Sequence, residues 1–165
     1  MSGTARLRLP QIASGQIDKA TTHNEALAAI DLLIGAAVEG VLVDTPPASA
    51  VIGDCYIVGG APSDAWAGNA LALAGYTAGG WRFMPAIEGM CATDKSSGQV
   101  ASFVGGSWEI GHVRASKLSV DGDQVVGVRL TAVTNPVGGT TIDTEARAAI
   151  ANILARLRTH GLIDP

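Results

Sequence analysis

Residues 76–83 read YTAGGWRF, and residues 102–110 read SFVGGSWEI. Each stretch has an aromatic residue, a glycine pair, a tryptophan, a charged residue and an apolar one, in that order. Paired glycines supply the positive φ that a tight hairpin turn demands, and a tryptophan just beyond the turn folds its ring over the preceding strand. The echo therefore predicts two β-hairpins and makes the middle of the chain a sheet. Every aromatic residue lies near them: Tyr56, Trp66, Tyr76, Trp81, Phe83, Phe103 and Trp108, with none before 56 or after 108. The rest of the chain has to be stabilised without large flat side chains.

Outward from the hairpins, candidate strands fall at 41–43, 54–58, 70–76, 81–84, 89–93, 99–104 and 107–110, broken by TPPAS, GGAPSD, AGG, DKSSG and GG. Strands this short and this evenly spaced suggest a small antiparallel sheet or barrel, not a parallel α/β sheet. Before them, residues 1–20 read as an extended arm, because RLRLPQ alternates charge with Leu, Pro10 blocks helix and Gly15 interrupts the run after it. A helix then opens at Thr22 and Glu25, which have capping-box spacing, carries Leu27, Ile30, Leu33, Ile34 and Val38 on one stripe, and ends at Gly40. Its remaining surface is thin with alanine, so it is read as central to a domain or buried between subunits, with Leu27, Ile30 and Ile34 as interface candidates.

Downstream, KLSVDGDQVVGVRL has an Asp-Gly turn between two alternating runs, which predicts a third hairpin. TNPVGGTT punctuates, and a second helix comes after it. Asp143 or Thr141 caps it, Glu145 suits its first turn, Arg156 and Arg158 suit its last, and Gly161-Leu162 ends it. Ala146, Ile150, Ile153 and Leu157 step by 4, 3 and 4, a heptad seam too short to hold a coiled coil alone. It packs either on its own domain or on identical helices, and Ile-rich core positions then favour three strands over two. The expected fold class is α+β. The expected segments are an arm over 1–20, a helix-plus-β core over 21–112, a hairpin and linker over 113–139, and an oligomerising helix over 140–165.

Composition narrows the function. A formal net charge of -4 and the absence of any Lys/Arg cluster argue against nucleic acid and against an anionic membrane surface. From Ala20 to Trp81 there is no Lys or Arg, against six acids (Glu25, Asp31, Glu39, Asp44, Asp54, Asp64), so that face would repel polyanions. No stretch approaches the roughly 18 apolar residues of a membrane span, and the N-terminus lacks a signal-like apolar core. Cys55 and Cys91 read as two small buried hydrophobes, or else as one disulfide.

Catalytic patterns are few. His23, His112 and His160 are remote from one another and have no partner at ligand spacing, so neither a metal nor another cofactor is expected. Ser107 in GGSWE departs from a nucleophile elbow because Glu109 stands where the closing glycine belongs. DGD at 121–123 reads as a hairpin tip, since no bidentate Glu lies at calcium-loop distance. No enzyme is expected. Trp66, Tyr76, Trp81 and Trp108 have two readings: the core of a thin sheet, or platforms that stack on sugar rings.

LPQIASGQIDKATTHNEALAAIDLL, PPASAVIGDCYIVGGAPSDAWAG, YTAGGWRFMPAIEGM and SSGQVASFVGGSWEI together resemble a family of uncharacterised domains encoded in prophages and gene transfer agents. The likeness runs from about Leu9 to Ile110 and is most specific at Gly15, Gln16, Lys19, His23, Asn24, Glu25, Ala26 and Leu27. The tail from Val133 to Ile163 is similar to a closing segment of phage fibre and spike proteins. The resemblance implies a virion structural protein: a head-spike or tail-fibre/adaptor subunit, made in the bacterial cytoplasm and carried in a particle. It implies a homo-oligomer, a trimer by the seam, that meets other virion proteins through its arm and contacts host surface polysaccharide. The alternatives are a carbohydrate-binding module working through the Trp-bearing sheet and a glycan-degrading enzyme.

Overall fold

The computed structural model describes residue 4 and residues 9–141 and 143–164. The chain falls into two compact units, Met1–His112 and Val113–Pro165.

The first unit runs α1 (Lys19–Leu33), β1 (Ala37–Val38), β2 (Gly40–Val43), β3 (Cys55–Val58), β4 (Leu73–Thr77), β5 (Gly80–Met84), β6 (Cys91–Asp94), β7 (Val100–Val104) and β8 (Ser107–Ile110). Between β3 and β4, Asp64–Trp66 forms one 3₁₀ turn. The strands make two four-stranded sheets, ordered β2-β3-β4-β5 and β1-β6-β7-β8. The two have the same plan: a short first strand pairs parallel with the second, and the other three form an antiparallel meander. The fold is α+β as the sequence implied, but the sheets are open and mixed, not a closed barrel.

The sequence echo is this repeated plan. Tyr76 pairs with Trp81 across β4–β5, and Phe103 pairs with Trp108 across β7–β8, so both aromatic pairs hold the same register. Both turns have two-residue loops, but their backbone conformations differ. Gly105 and Gly106 fill both positions of a two-residue turn with φ of 60° and 83°, while in the other hairpin the left-handed residue is Gly80, just past the Ala78-Gly79 loop, at 90°.

The helix differs most from expectation. It begins at Lys19, inside the expected arm, and stops at Leu33; Ile34 is already extended and Gly35 turns left-handed. Ala37–Val38, expected as helix, leaves to pair with Thr93–Asp94. The capping box does not form either. Asp18 is the N-cap and makes no side-chain cap bond. Thr22 is buried inside the helix and accepts a hydrogen bond from Gln16 Nε2, while Glu25 turns to Arg82. Of the arm, residues 1–3 and 5–8 lie outside the described residues, and residues 13–16 form a turn.

The period-2 alternation of strands explains how β3 and β4 are covered on both faces. Ile57 and Leu73 enter a core shared with Leu32 of α1, Val38, Met90, Ala92, Ala101, Phe103 and Trp108, which lies between the two sheets. Val58 and Ala74, on the opposite face, pack with Trp66, Tyr56, Trp81 and Phe83. Two contacts fix α1 on its sheet: Leu32 lies directly over Gly75, and Arg82 donates Nε and Nη2 to both oxygens of Glu25 at 2.9 Å.

The second unit holds β9 (Leu118–Val120), β10 (Asp123–Val126) and α2 (Thr144–Thr159). The Asp121-Gly122 turn closes β9–β10 as expected. Asp143 caps α2, its Oδ1 accepting from the Ala146 N–H at 2.8 Å, and Arg156 and Arg158 sit in the last turn. The chain then returns beside Leu130, with Asp164 N–H donating to Leu130 O at 2.9 Å and Arg129 paired to the Asp164 carboxylate.

Candidate functional site

One concavity of the first unit is a cleft of about 530 Å³ between the C-terminal half of α1, the 52–55 segment, the end of β4 and Lys95. Its apolar lining includes Ala28, Leu32, Ile34, Ala36 and Ile52, and polar residues along it are Asp31, Asp54, Cys55, Tyr76, Thr77 and Lys95. A ladder of backbone bonds fixes this edge: Gly53 N–H donates to Tyr76 O at 2.8 Å, and Tyr76 N–H donates to Asp54 O at 2.9 Å. Asp54 Oδ2 accepts from the Val51 N–H at 2.8 Å. The Lys95 ammonium pairs with Glu39, a contact that raises its pKa above the ordinary lysine value. Burial pushes the Cys55 thiol up, and the negative charge of Asp31 pushes it further. A thiol held protonated by burial and a nearby carboxylate is a poor nucleophile at neutral pH.

The four aromatic candidates separate. Trp66 is 0% exposed, Trp108 only 5%, and neither offers a ring face to a sugar. That corrects their assignment as platforms. Trp108 packs edge-to-face on Phe103 at 5.4 Å, and its Nε1–H donates to Leu71 O at 2.8 Å. Trp66 is tucked under Tyr56 and Trp81, at 5.5 and 5.1 Å, and its Nε1 has no hydrogen-bond partner among the described residues. Tyr76 and Trp81 remain half-buried with ring centroids 4.9 Å apart, on the face of β4–β5 opposite Gly75 and Leu32. The structure thus brings together three of the four and sets Trp108 apart.

The interface candidates lie on the outer side of α1 and along α2. Leu27, Ile30 and Ile34 share a shallow groove with Ala28 and Asp31, Leu27 and Ile34 being exposed and Ile30 half-buried. On α2, Ala146, Ile150 and Ile153 are exposed and Leu157 is half-buried, while Leu154, one residue off that seam, is the helix's buried residue. Cys91 is exposed and both thiols are free, which corrects the reading of two buried hydrophobes and that of a disulfide. Sequence reasoning did not single out Asp31, Asp54 and Lys95. The only hint was the long stretch without basic residues from which Asp31 and Asp54 come.

Among the described residues, no helix is long and apolar enough to cross a membrane. Residues 23–109, more than half of the chain and most of the first unit, match the family described as Protein of unknown function (DUF2793), and the chain belongs to that family. No curated protein matches it.

Proposed function

We propose, starting from membership of this uncharacterised family, that the chain is a structural subunit of a phage-like particle. It is a head-spike or tail-fibre/adaptor component that works as a homo-oligomer joined through its second unit. The observation that carries the assembly is the burial within that unit. Among its described apolar residues, Leu154 and Ile163 are the buried ones, whereas Val113, Val128, Leu130 and Val137 are 68–89% exposed. Every residue of β9 and β10 is exposed. A segment this short rarely gains more than about 3–5 kcal/mol from its own core, and exposed apolar surface on this scale marks an interaction surface. The seam of Ala146, Ile150, Ile153 and Leu157 then becomes the inside of a helical bundle, with three helices favoured. The particle itself is supported by the sequence resemblance.

Light scattering on the full chain and on a chain ending at residue 139 tests the assembly: a trimer that becomes a monomer is expected, and a monomeric full chain ends the reading. Antibody labelling of purified particles tests the particle, and label confined to the soluble fraction refutes it. A second reading, contact with surface glycan, is favoured by Tyr76 and Trp81, whose half-buried rings lie 4.9 Å apart on one face of the β2–β5 sheet.

A further inference from the structure

We infer that the β9–β10 ribbon is a second contact between copies of this chain, its apolar face packed against the same face of a neighbouring copy. The inference deepens the assembly reading and rests on it, since copies held through α2 are what the ribbon meets.

The register makes the two faces of the ribbon different. Val120 lies opposite Asp123 and Ser119 opposite Gln124, and the ladder then slips so that Val126 lies opposite Leu118. Val125 is the extra residue of that slip, so two valines face one leucine. With the alternation of strands, Leu118, Val120, Val125 and Val126 gather on one side, and Ser119 and Gln124 lie on the other. Only Asp123, beside the turn, brings a charge to the apolar side.

That side has no cover in its own unit. Its four apolar residues are 42–56% exposed, and no residue of either strand is buried. A two-stranded ribbon is marginal in water by itself and needs further strands or a packed face. Pairing along an edge would add strands yet leave the valines in water. Face-to-face packing, as between the layers of a sandwich, takes them out of it.

Charge decides the occupant. Residues 1–112 carry five Lys or Arg against ten Asp or Glu, so copies repel one another through the first unit. Residues 113–165 carry six against five, which leaves the second unit close to neutral and open to association. A strongly charged partner would find no complementary field there, whereas a second copy brings a face of the same size and chemistry. Copies arranged around one axis present the same patch to one another, so the ribbons are brought together with the helices.

Single cysteines read out the face. In a full chain carrying Cys55→Ala and Cys91→Ser, Val120→Cys and Ser119→Cys place one thiol on opposite sides of the ribbon. Any disulfide then joins two copies. Under mild copper-catalysed oxidation, Val120→Cys is expected to form covalent dimers at least about tenfold faster than Ser119→Cys, because a disulfide needs the two Cβ atoms close together. Followed by sedimentation, Leu118→Asp should weaken association at least about tenfold by burying an unpaired charge, and Ser119→Asp should leave it unchanged. Equal oxidation rates for the two cysteines, or undiminished association of the Leu118→Asp chain, overturns the ribbon contact and leaves assembly through α2 standing. A monomeric wild-type chain overturns both.

Discussion

Replacing Gly75 by Ala puts a methyl group where α1 meets its sheet. An added Cβ would lie 1.9 Å from Leu32 Cδ2, 2.9 Å from its Cγ and 3.2 Å from its Cδ1. The whole isobutyl group is in the way, so a rotation of one methyl does not clear it. Leu32 is itself a core residue at 6% exposure, so it has little room to retreat. Overpacking of this kind costs about 1–3 kcal/mol. Gly75 lies in an ordinary strand conformation, so alanine also returns about 0.5–1 kcal/mol by restricting the unfolded chain. The net expectation is a loss of roughly 0–2.5 kcal/mol. All three tryptophans, Trp66, Trp81 and Trp108, lie in the first unit, so urea unfolding followed by tryptophan fluorescence reports on that unit alone. A net 1 kcal/mol lowers the midpoint by about 0.3–1 M. Leu32→Ala alone should cost about 2–5 kcal/mol. With both changes the new methyl occupies part of the space that Leu32 vacates, so the double variant should lose at least about 1 kcal/mol less than the sum of the singles. Strict additivity in the double variant would show that α1 does not sit on β4 in this way.

Three further tests address separate contacts. Trp108→Phe leaves the Leu71 carbonyl without its 2.8 Å donor and should cost about 1–3 kcal/mol in thermal or urea unfolding, whereas a role confined to ligand contact would leave stability unchanged. Glu25→Gln should cost no more than about 1 kcal/mol, because the pair is partly solvated. The hydrogen bond from Arg82 holds Glu25 below the ordinary glutamate value of 4.5, so the pair stabilises above that value and the contribution fades as pH falls through the lowered one. The melting curves of the wild type and of the Glu25→Gln variant should therefore converge in acid, and a gap that widens there would reverse the sign. In a Cys91→Ser background, the pH profile of Cys55 alkylation should have its midpoint above the ordinary thiol value of 9.0, and Asp31→Asn should move it down by removing a charge that disfavours thiolate. A midpoint unmoved by that change would take Asp31 away from the thiol.

What the sequence revealed was local. The hairpins at 77–80, 104–107 and 120–123 were legible because each turn carries its own glycine chemistry, and Asp143 was legible as a cap because its acceptor and donor lie three residues apart. Long-range partners decided the rest. Ile34, Ala37 and Val38 keep an apolar run beyond Leu33, yet Gly35 breaks the helix and Thr93–Asp94 claims Ala37–Val38 as strand. Thr22 and Glu25 have the right spacing for a box, but Glu25 finds Arg82 across 57 positions. Aromatic density marked the right half of the protein without sorting its rings. The 3₁₀ turn buries Trp66, and Leu71, held left-handed at φ 62°, offers its carbonyl to Trp108. The cleft was illegible because four separate stretches build it, and none carries a motif of its own.

Ala37–Val38 and Gly40–Val43 are neighbours in the chain but open different sheets. During synthesis the β2–β5 sheet can close once the ribosome has released Met84, since every strand it needs has by then emerged. Ala37–Val38 must wait for Thr93–Asp94, and its sheet for Ile110. In that interval Val38, Ile57 and Leu73 have no second layer over them. Translation through residues 85–110 is therefore the period in which a nascent chain is most exposed to aggregation and to capture by chaperones.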